Sequence, residues 1–153
     1  MPPLVYAVDP WSTYAADAVK LWPLHWEEIA LDKDHVPLDV DMERYAELDA
    51  AGQLHIVTAR DDDERLQGYV LYVTMPHLHY KSTLHAFMDV LYLAPMHRKG
   101  LAGYRLLTWA ESTLRARGVR KVFMGGKMHY DLAPIYARLG YTEIERHFSK
   151  MLR

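Results

Sequence analysis

Residues 91–107 combine residue types that can bind a phosphate group. An apolar, strand-like run is followed by a basic turn with one glycine, and a helix-like pattern begins after it. A helix starts with amides that lack partners and with the positive end of its dipole, so anions bind there readily. His97, Arg98 and Lys99 add positive charge, and Gly100 allows the backbone to approach a phosphate closely. The spacing matches neither the GxGxxG nor the P-loop pattern, so an anion site of another kind is predicted.

Two motifs carry a resemblance to a known family. The turn reads His97-Arg98-Lys99-Gly100-Leu101-Ala102 with Gly103 next, and residues 133–141 read APIYARLGY. These resemble the [QR]-x-x-G-x-[GA] coenzyme A pyrophosphate loop and the A-x-x-x-Y-x-x-x-G-[FY] signature of the GNAT N-acetyltransferases. The first position departs from the family, because His97 replaces Gln or Arg. The resemblance covers most of the chain and is best from Leu84 onward.

The resemblance implies acetyl-CoA as the cosubstrate. It assigns the pyrophosphate to main-chain amides from His97 to Gly103, with Arg98 and Lys99 as electrostatic support. The alternative is that these two cations are solvated surface residues. The pantetheine arm would pair, like an added strand, with main-chain groups of the strand before the loop. The residues that would pair with the pantetheine arm are Leu91, Tyr92 and Leu93. The resemblance also implies that this strand and its parallel neighbour separate there, with the N–H of Leu91 donating to the thioester carbonyl.

The resemblance also suggests the acid of the reaction. Tyr136 occupies the family's tyrosine position, where the phenol can protonate or hydrogen-bond the departing thiolate. The alternative is a core tyrosine that packs a helix against the sheet. Many family members carry Asn six residues earlier, and this chain has Tyr130 there, which puts that cofactor contact in doubt.

A base is needed as well, because the attacking amine must be neutral. Asp89 interrupts an apolar strand and, in a regular pleat, shares a face with Phe87, Leu91 and Leu93. Burial there would raise the pKa of its carboxyl toward values useful to a base, although a structural hydrogen bond or ion pair explains it equally well. Glu27 and Glu28 fall where the family's first helical region borders the acceptor groove, so either can bind a cationic amine or relay a proton, or be a surface residue.

The composition narrows the possible partners. A formal net charge of −2 gives no support for nonspecific nucleic-acid binding. The 153 residues are expected to form a single domain (1–153) without a signal peptide or an apolar run that spans a membrane, located in the cytoplasm. The absence of cysteine excludes disulfides and a thiol nucleophile. Nine histidines are scattered without the spacing of a metal site, so no metal is expected.

Periodicity predicts the elements that must position these groups. The expected strands are 4–8, 53–60, 67–75, 84–93, 119–124 and 145–152, with a loop at 76–82. The expected helices are 10–22, with Asp9 as N-cap, a short one opened by Pro23, 41–51, the helix after the basic turn, and 134–139. Strand–helix–strand 84–124 indicates a parallel crossover, and the central strands should be antiparallel. The fold class is therefore α/β, a mixed sheet with helices on both faces, as in the GNAT fold.

These observations favour an enzyme that transfers an acetyl group from acetyl-CoA directly to an amine. The acceptor is a small-molecule amine or a protein amino group, and the acidic stretch 27–41 favours a cationic one. A catalytically silent GNAT-fold module that binds acyl-CoA or a partner protein is the alternative. A modifier of nucleic-acid bases fits the charge balance poorly. The resemblance also allows a homodimer.

Overall fold

The computed structural model describes residues 2–153, which contain one five-stranded sheet in the order β1-β2-β3-β4-β5. The first four strands are antiparallel to their neighbours, and β4 and β5 are parallel. The strands are β1 (Val5–Val8), β2 (Leu54–Arg60), β3 (Leu66–His77), β4 (Tyr80–Leu93) and β5 (Lys121–Phe123). The predicted mixed sheet is confirmed.

Helices cover both faces of this sheet, as predicted. They are α1 (Trp11–Ala18), α2 (Trp22–Ile29), α3 (Met42–Ala50), α4 (Ala102–Ala116) and α5 (Ala133–Arg138). An aromatic cluster on one face is built around α1 and includes Trp11, Tyr14, Tyr69 and Tyr92. On the other face, α4 buries one stripe of side chains, Leu106, Leu107, Ala110 and Leu114. Each fully buried leucine contributes about 1.5–3 kcal/mol, so this stripe fixes α4, and with it the preceding turn, on the sheet.

The helix predicted over residues 10–22 is wrong in its extent and its cap. The chain turns after Ala18, because Pro23 has no N–H to donate to the carbonyl of Val19 in a continuous helix. Asp9 does not cap α1. Its carboxylate instead accepts hydrogen bonds from Thr58 and Arg60 of β2.

Two further boundaries differ from the prediction. Residues 76–82 were expected to be a loop, but β3 and β4 extend into a tight hairpin in which His77 pairs with Tyr80. The strand expected at 119–124 is reduced to Lys121–Phe123. The strand expected at 145–152 is absent from the described residues, where 142–153 form no regular element. Alternating side chains predict an extended chain, but a strand also needs a neighbour for its backbone groups.

Candidate active site

The parallel strands β4 and β5 separate part-way along their length. Their pairing begins at His85 with Lys121 and ends at Phe87 with Phe123, while β4 continues to Leu93. From residue 88 onward the side of β4 that faces β5 therefore has no strand beside it within residues 2–153. Main-chain groups along this open edge are available to an extended ligand, in the manner of an added strand.

A cavity of about 260 Å³ lies beside this open edge. It is bounded by the end of β4, the first turns of α4 and α5, the C-terminal part of α2 and the segment 130–132. Its walls include six residues predicted from the sequence as site residues, namely Leu91, Tyr92, Leu93, Arg98, Gly103 and Glu28. The lining also contains residues that sequence reasoning did not assign to the site, including His25, Leu132 and Ile135.

The basic turn presents a row of unengaged amides. Pro95–His97 form a short 3-10 helix, and the amides of His97 and Arg98 donate to the carbonyls of Ala94 and Pro95. Among residues 2–153, no acceptor engages the amides from Lys99 to Tyr104. Lys99, Gly100 and Leu101 are exposed, and Ala102 and Gly103 are half-buried.

The helix that follows adds to this anion-binding character. α4 is 15 residues long, its N-cap Leu101 supplies no side-chain cap, and its first turn contains no acidic residue. A Cβ placed at Gly100 would meet no atom within 4 Å, so the fold itself does not require glycine there. Free amides at the positive end of a helix dipole form a site for a phosphate group.

Arg98 turns inward instead of standing in solvent. Its Nη2 donates to both carboxylate oxygens of Glu28, at 2.8 and 2.9 Å, and its Nε donates to the carbonyl of Leu93 at 2.7 Å. The guanidinium also lies over the rings of Tyr92 and Tyr130, 5.7 and 5.4 Å from their centroids. The Leu93 carbonyl is therefore occupied. Tyr130, a departure from the family motif, has a packing role that the sequence did not reveal.

Tyr136 reaches the point where the strands separate. Its hydroxyl donates to the carbonyl of Gly125 at 2.6 Å and lies 3.7 Å from Sδ of Met88, the first β4 residue beyond the paired region. Burial raises the pKa of the Tyr136 phenol, so the hydroxyl stays protonated. The ring packs against the core, as in the alternative considered from the sequence, while the hydroxyl lies at the opening between the strands.

Asp89 differs from the expectation in two ways. Leu71 pairs with Val90 and Tyr72 with Met88, so Asp89 is the extra residue of a β-bulge. The bulge reverses the alternation, and Met88 and Leu91 both pack on the α4 face. Asp89 therefore does not share a regular pleat face with Leu91. Its side chain is exposed, so the desolvation expected for it is absent.

The Asp89 carboxylate nevertheless has a specific partner. It accepts a hydrogen bond from the hydroxyl of Tyr45 in α3. Burial, followed by this hydrogen bond, raises the pKa of the Tyr45 phenol, which keeps Tyr45 a donor. Tyr45 also stacks on Trp11 with ring centroids 4.5 Å apart. The carboxylate is thus held at the bulge by a ring that is itself fixed in the aromatic cluster, and no sequence signal linked the two residues.

Residues 16–141 match the model of the Acetyltransferase (GNAT) family. The chain belongs to the GNAT acetyltransferase family. The match includes the basic turn, the open edge of β4 and the helix that carries Tyr136. Within residues 2–153, no group of three or more His, Asp or Glu side chains is arranged to hold a metal ion. No helix among those residues combines the length and apolar character that crossing a membrane requires.

Solved structures share the fold of this GNAT chain at low identity. An acetyltransferase of Trypanosoma brucei superposes with a TM-score of 0.70 at 18% identity, covering 97% of this chain and 99% of that one. An aminoglycoside acetyltransferase from an uncultured soil metagenomic sample, in complex with sisomicin, gives 0.74 at 15% identity over 98% and 97%. A predicted acetyltransferase of Clostridium acetobutylicum with acetyl-CoA gives 0.68 at 14% identity over 97% and 96%. No curated protein sequence matches this chain significantly.

Proposed function

We propose that this protein is an N-acetyltransferase that acts as one domain and transfers an acetyl group from acetyl-CoA directly to an amine. The observation that carries the proposal is the row of unengaged amides from Lys99 to Tyr104 at the start of α4, next to the cavity and the open edge of β4. Membership of the GNAT family and the neighbour with acetyl-CoA support the same cofactor.

The proposed cofactor site extends from the amides of the basic turn to the cavity and the open edge of β4. The pyrophosphate would accept hydrogen bonds from the amides of residues 99–103, each worth about 1.5–3 kcal/mol because the acceptor is charged. Lys99 would contribute positive charge from the turn, while Arg98 holds Glu28 and the end of β4. The pantetheine arm would run along Leu91 and Tyr92, between β4 and the first turn of α5.

In the proposed reaction, the amine nitrogen bonds to the thioester carbon and the C–S bond breaks. The amine loses one proton and the departing thiolate gains one. The amide of Leu91 would polarise the carbonyl, and Tyr136 would move its hydrogen bond from Gly125 to the sulfur. Asp89 is the proposed base, because Glu28 already shares its charge with Arg98. Positioning supplies much of the remaining acceleration.

The proposed acceptor is a cationic amine. Asp89 is exposed beside the strand opening, and the loop between α2 and α3 contributes Asp32, Asp34 and Asp39. Aminoglycosides are one class to test, since a structural neighbour is in complex with sisomicin, and polyamines and peptide N-termini are the others.

Titration calorimetry with acetyl-CoA is the first test of the proposal, followed by a thiol-release screen over the three amine classes. Binding tighter than millimolar and release of free thiol with at least one amine are expected. Tyr136→Phe should lower kcat while the cofactor affinity stays nearly constant. Tyr72→Phe, at a buried tyrosine of β3 whose hydroxyl has no hydrogen-bond partner among the described residues, is the matched control and should leave kcat unchanged. Absence of measurable acetyl-CoA binding would refute the proposal.

The second candidate is a GNAT-fold module that binds acyl-CoA without turnover. The hydrogen bond from Tyr136 to Gly125 favours it, because the phenol proton already has an acceptor. The screen separates the two candidates. Cofactor binding without thiol release for any acceptor would support the binding module, whereas release that depends on Tyr136 would support the enzyme.

A further inference from the structure

Three aromatic rings of β4 and β5 lie beside Asp89, and we call His85, Phe87 and Phe123 the aromatic shelf. The rings of Phe87 and Phe123 are 4.8 Å apart between centroids and parallel to within 6°. Both are half-buried, and within the described part of the chain neither belongs to the aromatic cluster around α1 or to the residues packed under α4. Partly exposed aromatic rings can stack with a further ring or bind a cation.

The shelf and the Asp89 carboxylate lie on the same face of the sheet. Val73, which pairs with Phe87, packs against the aromatic cluster around α1. Tyr45, whose hydroxyl donates to Asp89, packs against the same cluster. Phe87 and Asp89 therefore both lie on the face opposite α4. A molecule bound on the shelf can reach Asp89, the proposed base, without passing through the sheet.

The two ends of the shelf carry opposite charges. Lys121 pairs with His85, and Phe123 pairs with Phe87, so Lys121 lies at the end of the shelf away from Asp89. Lys121 is exposed, and its Nζ lies over the Phe123 ring, 5.1 Å from the centroid. A cationic amine is attracted to the Asp89 end, whereas a second positive charge on the same molecule would meet Lys121 and be repelled. The charges thus favour a molecule with one amine over a polyamine.

His85 adds a polar group at the far end of the shelf. Its side chain is 3% exposed, and its Nδ1 has no hydrogen-bond partner among the described residues. The His85 ring lies 6.1 Å from that of Phe87 and 5.6 Å from that of Phe123. A buried polar atom without a partner is a candidate contact for a ligand, and a hydroxyl suits either tautomer because it can donate or accept.

The length of the shelf limits the shape of its ligand. Asp89 and His85 are four residues apart on β4, which is about 13 Å in a regular strand. A ligand that reaches both ends must be elongated. An aromatic ring with a short aminoalkyl arm on one side and a hydroxyl on the other has this form and places its flat part over Phe87 and Phe123.

We propose that the acceptor is an arylalkylamine with a single positive charge, whose ring stacks on the aromatic shelf and whose amine lies at Asp89. This inference rests on the proposed acetyl transfer and narrows its substrate class. The reaction is unchanged, since the acetyl group passes from the sulfur to the amine nitrogen and that nitrogen loses one proton.

Binding is tested first, because it does not depend on turnover. Saturation-transfer NMR titrations compare tyramine, phenethylamine and hexylamine, and the affinity should fall in that order. Phe123→Leu keeps an apolar side chain but removes the ring, so the affinity for tyramine should fall about three- to tenfold. Phe148→Leu, at a side chain that is 93% exposed outside the shelf, is the matched control and should leave the affinity unchanged. Equal affinities for tyramine and hexylamine would overturn the inference.

The charge pattern is tested by turnover in the thiol-release assay. Lys121→Glu should raise kcat/KM for spermidine relative to tyramine by about tenfold, because repulsion at that end becomes attraction. Arg65→Glu makes the same charge change at an exposed residue next to the opposite end of β3 and should leave the ratio unchanged. A ratio that Lys121→Glu does not alter would overturn the inference alone. Absence of thiol release with every amine would refute the proposed transferase, while the NMR titrations would still decide whether the shelf binds an aromatic amine.

Discussion

The pair formed by Arg98 and Glu28 should be the strongest ionic contact of the candidate site. Arg98→Met removes the guanidinium and its three hydrogen bonds but keeps an unbranched apolar stem between Tyr92 and Tyr130. Glu28→Gln keeps the shape of the side chain and removes its charge. The two single variants and the double variant form a double-mutant cycle that isolates the interaction between the two side chains.

The expected coupling energy depends on how far the two side chains are exposed to solvent. The Arg98 and Glu28 side chains are 26% and 28% exposed, so the pair lies between exposed pairs, worth about 0.2–1 kcal/mol, and buried pairs, whose disruption costs about 3–5 kcal/mol. A coupling energy of about 1–1.5 kcal/mol is expected. Arg98→Met should cost more, about 2–3 kcal/mol, because the charge-assisted bond to the Leu93 carbonyl is lost too.

Urea unfolding is the appropriate assay, because urea is uncharged and leaves ion pairs unscreened. The matched control is Arg44 with Glu47 in α3, an ion pair at 3.0 Å whose side chains are 63% and 66% exposed. Its cycle should give about 0.5 kcal/mol or less. Equal coupling energies in the two cycles would refute the reasoning, since the two pairs then differ in exposure without differing in strength.

Three other changes test separate parts of the molecule. Burial, followed by the charge of Arg117, lowers the pKa of His55 from 6.5 to about 4. Between these two pH values the unfolded chain binds more protons than the folded one, so the free energy of unfolding falls as the pH drops from 6.5 to about 4. His55→Leu should remove about 2 kcal/mol of the loss between pH 7 and pH 5, as measured by urea unfolding at the two pH values. Identical losses in both proteins would contradict the assignment. Asp89→Asn should lower kcat by about 10²-fold or more and alter the pH–rate profile, and Tyr45→Phe should give a smaller decrease in kcat. An unchanged pH–rate profile would mean that Asp89 has a structural role. Gly103→Ala places a methyl group 3.5–3.7 Å from atoms of the cavity wall. The affinity for acetyl-CoA, measured by calorimetry, should therefore fall about tenfold without a change in thermal stability. An unchanged affinity would show that the pantetheine arm lies elsewhere.

Sequence patterns correctly predicted the features that depend only on residues close together in the chain. The 3.6-residue stripe of α4 predicted its buried face, and Gly118 and Gly140 follow helices in a left-handed conformation, as expected for residues that end a helix. The basic turn was also predicted from local features. Its amides are free because a helix start leaves them so, whatever the rest of the fold does.

Long-range contacts and changes of register could not be predicted in this way. Arg98 and Glu28 are 70 residues apart, and nothing near either one indicates the other. The bulge at Asp89 inserts one residue, which reverses every later side chain of β4 and makes an alternation count wrong from that residue onward. Residues 145–152 alternate like a strand, but whether a strand forms depends on a neighbouring strand for its backbone groups, which the local pattern does not reveal.

The separation of β4 from β5 should be visible in amide hydrogen exchange. Between His85 and Phe87, β4 has a strand on each side, so its amides are protected there. From residue 88 onward, only amides directed toward β3 have a strand partner, so protection should alternate between slow and fast exchange from one residue to the next, with one break in the alternation at the bulge. A ligand that lies along this edge would slow exchange of the amides that point away from β3. The residues whose exchange slows would show how far along β4 the ligand extends.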